Sequence, residues 1–166
     1  MAPSARAATA AERQPASRAY AGLHLRIVAF ILDVMVLIAF GMLFAAAAGA
    51  YLIVDSRFND GNLSDRAPYV AVVIFLVYVF AFVPLYHILL WSSRGQTVGM
   101  MAVHIKVLSR HGGRVSLARS LVRLIGHIVS VMIPIIGLLV FVLALSDRKR
   151  RSLSDVLAGT VVVVEP

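Results

Sequence analysis

Apolar residues run almost unbroken from Leu25 to Val54, with Arg26 at the mouth of the run and Asp33 inside it. About 20 apolar residues wound as a helix cross the hydrocarbon core of a bilayer, so the run predicts a transmembrane helix. A second run, Tyr69–Trp91, predicts another. Tyr69 stands at one edge and Tyr86 and Trp91 at the other, where aromatic residues anchor a span to the interface. Pro84 predicts a bend in its last turns, and His87 a solvated place near the interface. Between the runs lies Asp55–Pro68, with an Asn-Asp-Gly turn and three acids against two Arg. The other connecting segments are net basic. Lys and Arg gather on the cytoplasmic side, so this loop is expected outside and both flanks, the N-terminus included, in the cytoplasm.

The second half carries weaker patterns. Ala102–Leu108 alternates apolar and polar residues, as a strand does. Thr160–Glu165 is rich in β-branched residues. A lone strand would leave its backbone groups unpaired, so the two are expected to pair with each other. Between them lies the segment 117–145, uncharged from Leu124 to Leu145. A single crossing there would send Asp147–Arg151 outside and separate the strands. Pro134 and Gly137 can break a helix in mid-run. Two halves of about 13 residues reach only about 20 Å each, short of a core of roughly 30 Å. A bent or re-entrant hairpin buried by other helices meets these demands; a third span is the alternative.

The fold expected is an all-α integral membrane protein: two transmembrane helices, the hairpin or third span, and a small cytoplasmic two-stranded β element. Residues 1–20, rich in Ala, Arg, Ser and Pro, read as a disordered basic tail. Residues 21–166 form the membrane domain, with spans at about 25–54, 69–91 and 117–145. Ala46-Ala47-Ala48 resembles a signal cleavage site, but the polar lead is too long and the apolar run exceeds the usual 7–15 residues or so, which favours an uncleaved first span. Gly41, Ala45 and Gly49 recur at a spacing that admits a close neighbouring helix, expected within the chain, with homodimerisation as the alternative.

Composition narrows the function classes. The chain has 166 residues, of which 60% are hydrophobic and 14% charged, with a formal net charge of +8. Its mean hydropathy is +0.89. In a soluble protein that charge would suggest nucleic acid; flanking apolar spans, it is explained by orientation and anionic lipid. There is no Cys, hence no disulfide or thiolate nucleophile. The five His show no HExxH or HxH spacing, so no metal or other cofactor is expected. Ser152 and Ser154 lack a His–acid set and no metal spacing exists, so the chain is not expected to be an enzyme.

The candidate chemistry lies in charges within apolar surroundings. Arg26 and Asp33 are close to two helical turns apart, on one face and roughly 10 Å apart along the axis. A carboxylate at membrane depth costs roughly 2.5–3.5 kcal/mol or more, and is kept only if paired, solvated or used. Arg119, Arg123 and His127 share a face at i, i+4 and i+8. That face either lies on lipid headgroups or lets Arg123 pair with Asp33 or Asp155. Asp155 is placed to cap a short helix ended by Gly159, and basic residues just before it offer electrostatic pairing as well. Arg26, Asp33, Arg123 and Asp155 are therefore the candidate ion-binding or ion-pair cluster.

Three islands stand in a telling order: Arg26 to Asp33; Gly95-Gln96-Thr97-Val98-Gly99 leading to Ile105-Lys106-Val107; and Ser152-Leu153-Ser154-Asp155-Val156-Leu157-Ala158-Gly159-Thr160. Together they resemble the RDD family of bacterial membrane proteins, named for one Arg and two Asp, which Arg26, Asp33 and Asp155 match in order. The resemblance covers about residues 20–165. Met100 and Met101 stand where the family usually carries Lys or Lys-Arg. The resemblance implies a multi-pass protein of the bacterial inner membrane and points to transport, including the sodium/proton exchange proposed for some members. Two functions follow as expectations. One is a small transporter or transporter subunit, in which Asp33 binds Na⁺ or H⁺; its few spans make too little wall for a pathway and imply a homo-oligomer or a membrane-protein partner. The other is a non-catalytic accessory subunit or assembly factor, its Arg/Asp set a clasp.

Overall fold

The computed structural model describes residues 19–132 and 152–165. The bulk of the N-terminal tail and the Pro134–Gly137 break, on which the hairpin depends, lie outside the described residues. The first apolar run is helix α1, Leu23–Phe58, of 36 residues. At 1.5 Å per residue it is about 54 Å long. The second run is α2, Ala67–Val77, a π turn over Tyr78–Phe82, and α3, Val83–Ser93. These helices exceed the expected spans by a few residues at each end, and both are long and apolar enough to cross a membrane by length and composition. Their outer faces are apolar: Met35, Met42, Leu43, Phe75 and Phe80 are each more than 60% exposed. Exposed apolar surface on this scale marks contact with lipid or another protein.

A π turn directly precedes Pro84, where the sequence predicted a bend. Proline has no N–H, and its ring collides with the carbonyl four residues back. Widening the preceding turn to the π pattern removes that collision without breaking the helix. The Tyr78 hydroxyl, in the same turn, donates to the Leu37 carbonyl at 2.5 Å. A Cβ on Gly41 would meet the Tyr78 ring at 3.3 Å, while Gly49 faces open space. Of the small-residue stripe, Gly41 thus serves packing within the chain. At the far end of α1, Asp55 accepts from the Ser64 N–H and hydroxyl, each at 2.8 Å, and closes the acidic loop.

After α3 come α4 (Val98–Ala102), β1 (Ile105–Ser109), α5 (Leu117–Met132), α6 (Leu153–Ala158) and β2 (Thr160–Val164). The two strands pair antiparallel, from Ile105 opposite Val164 to Ser109 opposite Thr160, as their composition demanded. The chain just before α1 lies along β2. Tyr20 bridges Val163, the Ala21 N–H donates to the Val162 carbonyl at 2.9 Å, and the Val164 N–H to Ala19 at 2.9 Å. Ala19 and Tyr20, read from composition as tail, are thus attached to the sheet. Ile105, Val107 and Val162 are fully buried and form a core with Ala21, Ala29, Trp91 and Met100. That core joins the sheet to the start of α1 and the end of α3. Helix α5 packs against α3 and α6.

Candidate functional site

Asp155 holds the far end of the chain to the first helix. Its position is set locally: Ser152 Oγ accepts from the Asp155 N–H at 3.3 Å, and Asp155 Oδ2 accepts from the Ser152 N–H at 3.1 Å. This reciprocal capping box starts α6. Gly159, at φ 64°, ends it in the left-handed region, where a glycine has no Cβ to strain. The same carboxylate then reaches two arginines. Arg26 Nη1 of α1 donates to Oδ2 at 2.6 Å. Arg123 Nη1 of α5 donates to Oδ1 and, at 2.9 Å, to Thr160 Oγ1 of β2. Capping and the pairing with Arg123, both offered by the sequence, are made together, while the basic residues just before Asp155 lie outside the described residues. Asp155 has no exposed surface. Burial pushes its carboxyl up, but Arg123 and Arg26 outweigh that and hold it at about 2.

Asp33 has a different solution. It is 7% exposed, yet among the described residues its direct partners are neutral donors. The Tyr86 hydroxyl donates to Oδ1 at 2.7 Å, the Gly99 N–H to Oδ1 at 2.8 Å, and the Thr97 hydroxyl to Oδ2 at 2.5 Å. Three hydrogen bonds replace much of the hydration that burial removes from a carboxylate. The Gly95–Gly99 island exists to make this contact. Gly95 turns the chain at φ 73°. Gln96 donates to the Ile105 carbonyl at 3.1 Å and to Glu165 at 2.6 Å, tying the turn to the sheet. Thr97 caps α4, accepting from the Met100 N–H at 3.3 Å. At Gly99 a Cβ would collide with the Ala29 carbonyl and lie 2.9 Å from Asp33 Cγ. Only glycine lets α4 seat on α1.

The four candidate residues therefore divide. Arg26, Arg123 and Asp155 form one clasp, and Asp33 sits apart from it, with no Asp33–Arg ion pair among the described residues. The expected single Arg/Asp cluster is corrected in that respect. Both parts nonetheless border one cavity of about 330 Å³, between α1, α3 and α5, which His87, Trp91 and His127 also line. His87 is not the solvated interfacial residue expected: it is 8% exposed. Its Nδ1 lies 2.9 Å from the Val83 carbonyl, and its ring stands 5.2 Å from Trp91. Trp91, expected as an interfacial anchor, is 3% exposed. It lies beneath the Arg123 guanidinium, 5.0 Å from ring centroid to Cζ. Arg119, of the same basic stripe as Arg123, donates to Ser109 Oγ instead.

Tyr86, Thr97, Gly99 and Thr160 were not singled out from the sequence as site residues. Thr97, Gly99 and Thr160 lie inside the islands, so the islands pointed to them. Tyr86 carried no signal beyond its interfacial position.

No curated protein and no solved structure matches this chain. The sequence model of the RDD family matches residues 20–159. That span takes in both carboxylates, both clasp arginines and the Gly95–Gly99 turn, and the chain belongs to the RDD family.

Proposed function

We propose that this protein is a non-catalytic membrane module, an accessory subunit or assembly factor of a larger complex in the bacterial inner membrane. Its N-terminus and sheet lie on the cytoplasmic side, and the Arg26–Asp155–Arg123 clasp fastens the sheet unit to the spans. One observation carries this reading. Each oxygen of Asp33 and of Asp155 already accepts from the chain's own donors. A carboxylate that exchanges Na⁺ or H⁺ must release or share those lone pairs during each cycle. A clasp keeps them filled. Basic flanks that favour anionic lipid suit either role.

A specific observation supports a second reading, the small Na⁺/H⁺ transporter or transporter subunit. Asp33, His87 and His127 border the same cavity, and neutral imidazoles are proton carriers. Reconstituted vesicles with an internal pH dye separate the two. Under the clasp reading, Asp33→Asn leaves sodium-driven pH change no different from wild type, and wild type no different from empty vesicles. Asp155→Asn then lowers the folded yield, and a stoichiometric partner co-purifies in mild detergent. Wild-type exchange abolished by Asp33→Asn at unchanged folded yield would overturn the clasp reading in favour of transport.

A further inference from the structure

The cavity between α1, α3 and α5 is lined by two residues that each carry a buried donor unused among the described residues. Trp91 Nε1 and Arg123 Nε are inaccessible to solvent and have no hydrogen-bond partner among the described residues. Both residues line the cavity and are 3% and 5% exposed. A buried N–H without an acceptor bears its full desolvation cost, so the pair calls for an acceptor that the described residues do not supply. Much of the remaining lining is apolar, including Phe30, Val34, Leu37, Val83 and Ile128. A volume of about 330 Å³ falls within the range of small-molecule sites.

We propose that this cavity binds a neutral, largely apolar molecule through one carbonyl oxygen. The oxygen accepts from Trp91 Nε1 and Arg123 Nε, and the apolar body lies along Val34, Leu37 and Val83. The neutral character follows from charge. Arg26, Arg123 and Asp33 border the cavity, and Asp155, which does not line it, ion-pairs with both arginines, so two positive charges already meet two negative ones. A further anion would add an uncompensated charge to a low-dielectric space. The imidazole of His87 agrees: with Nδ1 donating to the Val83 carbonyl, its other nitrogen is a lone pair that repels an anionic headgroup. An ester of a membrane lipid and a prenylated quinone share this chemistry. The inference goes beyond the clasp and does not depend on it.

The chain holds a single tryptophan, and it is Trp91. Its fluorescence therefore reports on the site directly. The full-length protein in detergent micelles is titrated with four probes: a decyl-substituted quinone, a short-chain diacylglycerol, decanoate and dodecane. Expected is a saturable change at one equivalent with the quinone or the diacylglycerol, the tighter of the two identifying the natural source, and at least tenfold weaker response to decanoate and dodecane. Val34→Phe fills the apolar end while keeping the reporter, and should abolish saturation. Trp91→Phe keeps a smaller aromatic ring and loses the N–H. Measured by calorimetry, it should weaken binding about 3- to 10-fold, the worth of one hydrogen bond. Each variant is checked for a wild-type circular dichroism spectrum; if Val34→Phe does not fold, Val83→Phe narrows the same wall from α3. Binding of decanoate or dodecane as tight as the carbonyl probes, saturation unchanged by filling the cavity, or no saturable binding of any probe would each overturn the proposal.

Discussion

Replacing Asp155 by Asn tests the clasp at its centre. Asn keeps the volume and one oxygen for the cap of α6, but removes the charge that balances Arg26 at 2.6 Å and Arg123 beside it. Two guanidinium groups are then left buried around a neutral amide. Removing one partner of a buried ion pair costs about 3–5 kcal/mol, because the remaining charge stays desolvated. Asp155→Ala loses the capping box as well, which adds about 1 kcal/mol. Against a total stability of about 5–15 kcal/mol, either loss is large. Urea titration in mixed micelles, followed by Trp91 fluorescence, measures both. The order expected is wild type, then Asp155→Asn, then Asp155→Ala. A double-mutant cycle with Arg123→Gln should return a coupling of about 2 kcal/mol or more, as for residues in one network. A loss below about 1 kcal/mol for Asp155→Asn, outside the range for a buried pair, would refute the reasoning and leave Asp155 as a helix cap alone.

Acid should loosen the same clasp. Because the folded carboxyl of Asp155 sits at about 2 against 3.8 for an ordinary one, its contribution is full above about pH 4 and is lost as the pH falls through 2, roughly 2 kcal/mol in all. Asp155→Asn should flatten that part of the stability–pH curve, read by the same urea titration. Gly99→Ala drives a methyl group into the Ala29 carbonyl and should cost about 3 kcal/mol, the upper end for overpacking, since backbone has little room to yield; folded yield from size-exclusion chromatography measures it. Asp33→Ala strands the Tyr86, Thr97 and Gly99 donors and should cost about 3 kcal/mol or more, whereas Asp33→Asn, which still accepts, should cost markedly less; equal losses in urea titration would contradict the hydrogen-bond account. Gly159→Ala places a Cβ in the left-handed region and should cost about 1–2 kcal/mol, seen as a small drop in the urea midpoint.

Much of this was legible in the residue order. Leu25–Val54 and Tyr69–Trp91 had no other use than as long apolar helices, because period and length are local properties. The pairing of β1 with β2 followed from the need to satisfy backbone groups, although 50 residues separate the ends of the two strands. Ser152, Asp155 and Gly159 spelled a capped helix within eight residues. Which carboxylate meets which donor was not local. Arg26 and Asp155 are 129 positions apart and Thr97 and Asp33 are 64 apart. Either Asp offered Arg123 an equally plausible partner along the chain. The choice was made where backbones touch: Gly99 seats α4 over Asp33, and Gly126 lets α5 approach α6, where a Cβ would lie 2.9 Å from the Ser154 Cα. Side chains reach only a few ångströms, so the crossing points of the helices, set by packing of the whole chain, decide which charges meet. The cavity beside Trp91 has the same origin, since its walls come from four helices and a strand and no single one of them encodes the space they enclose.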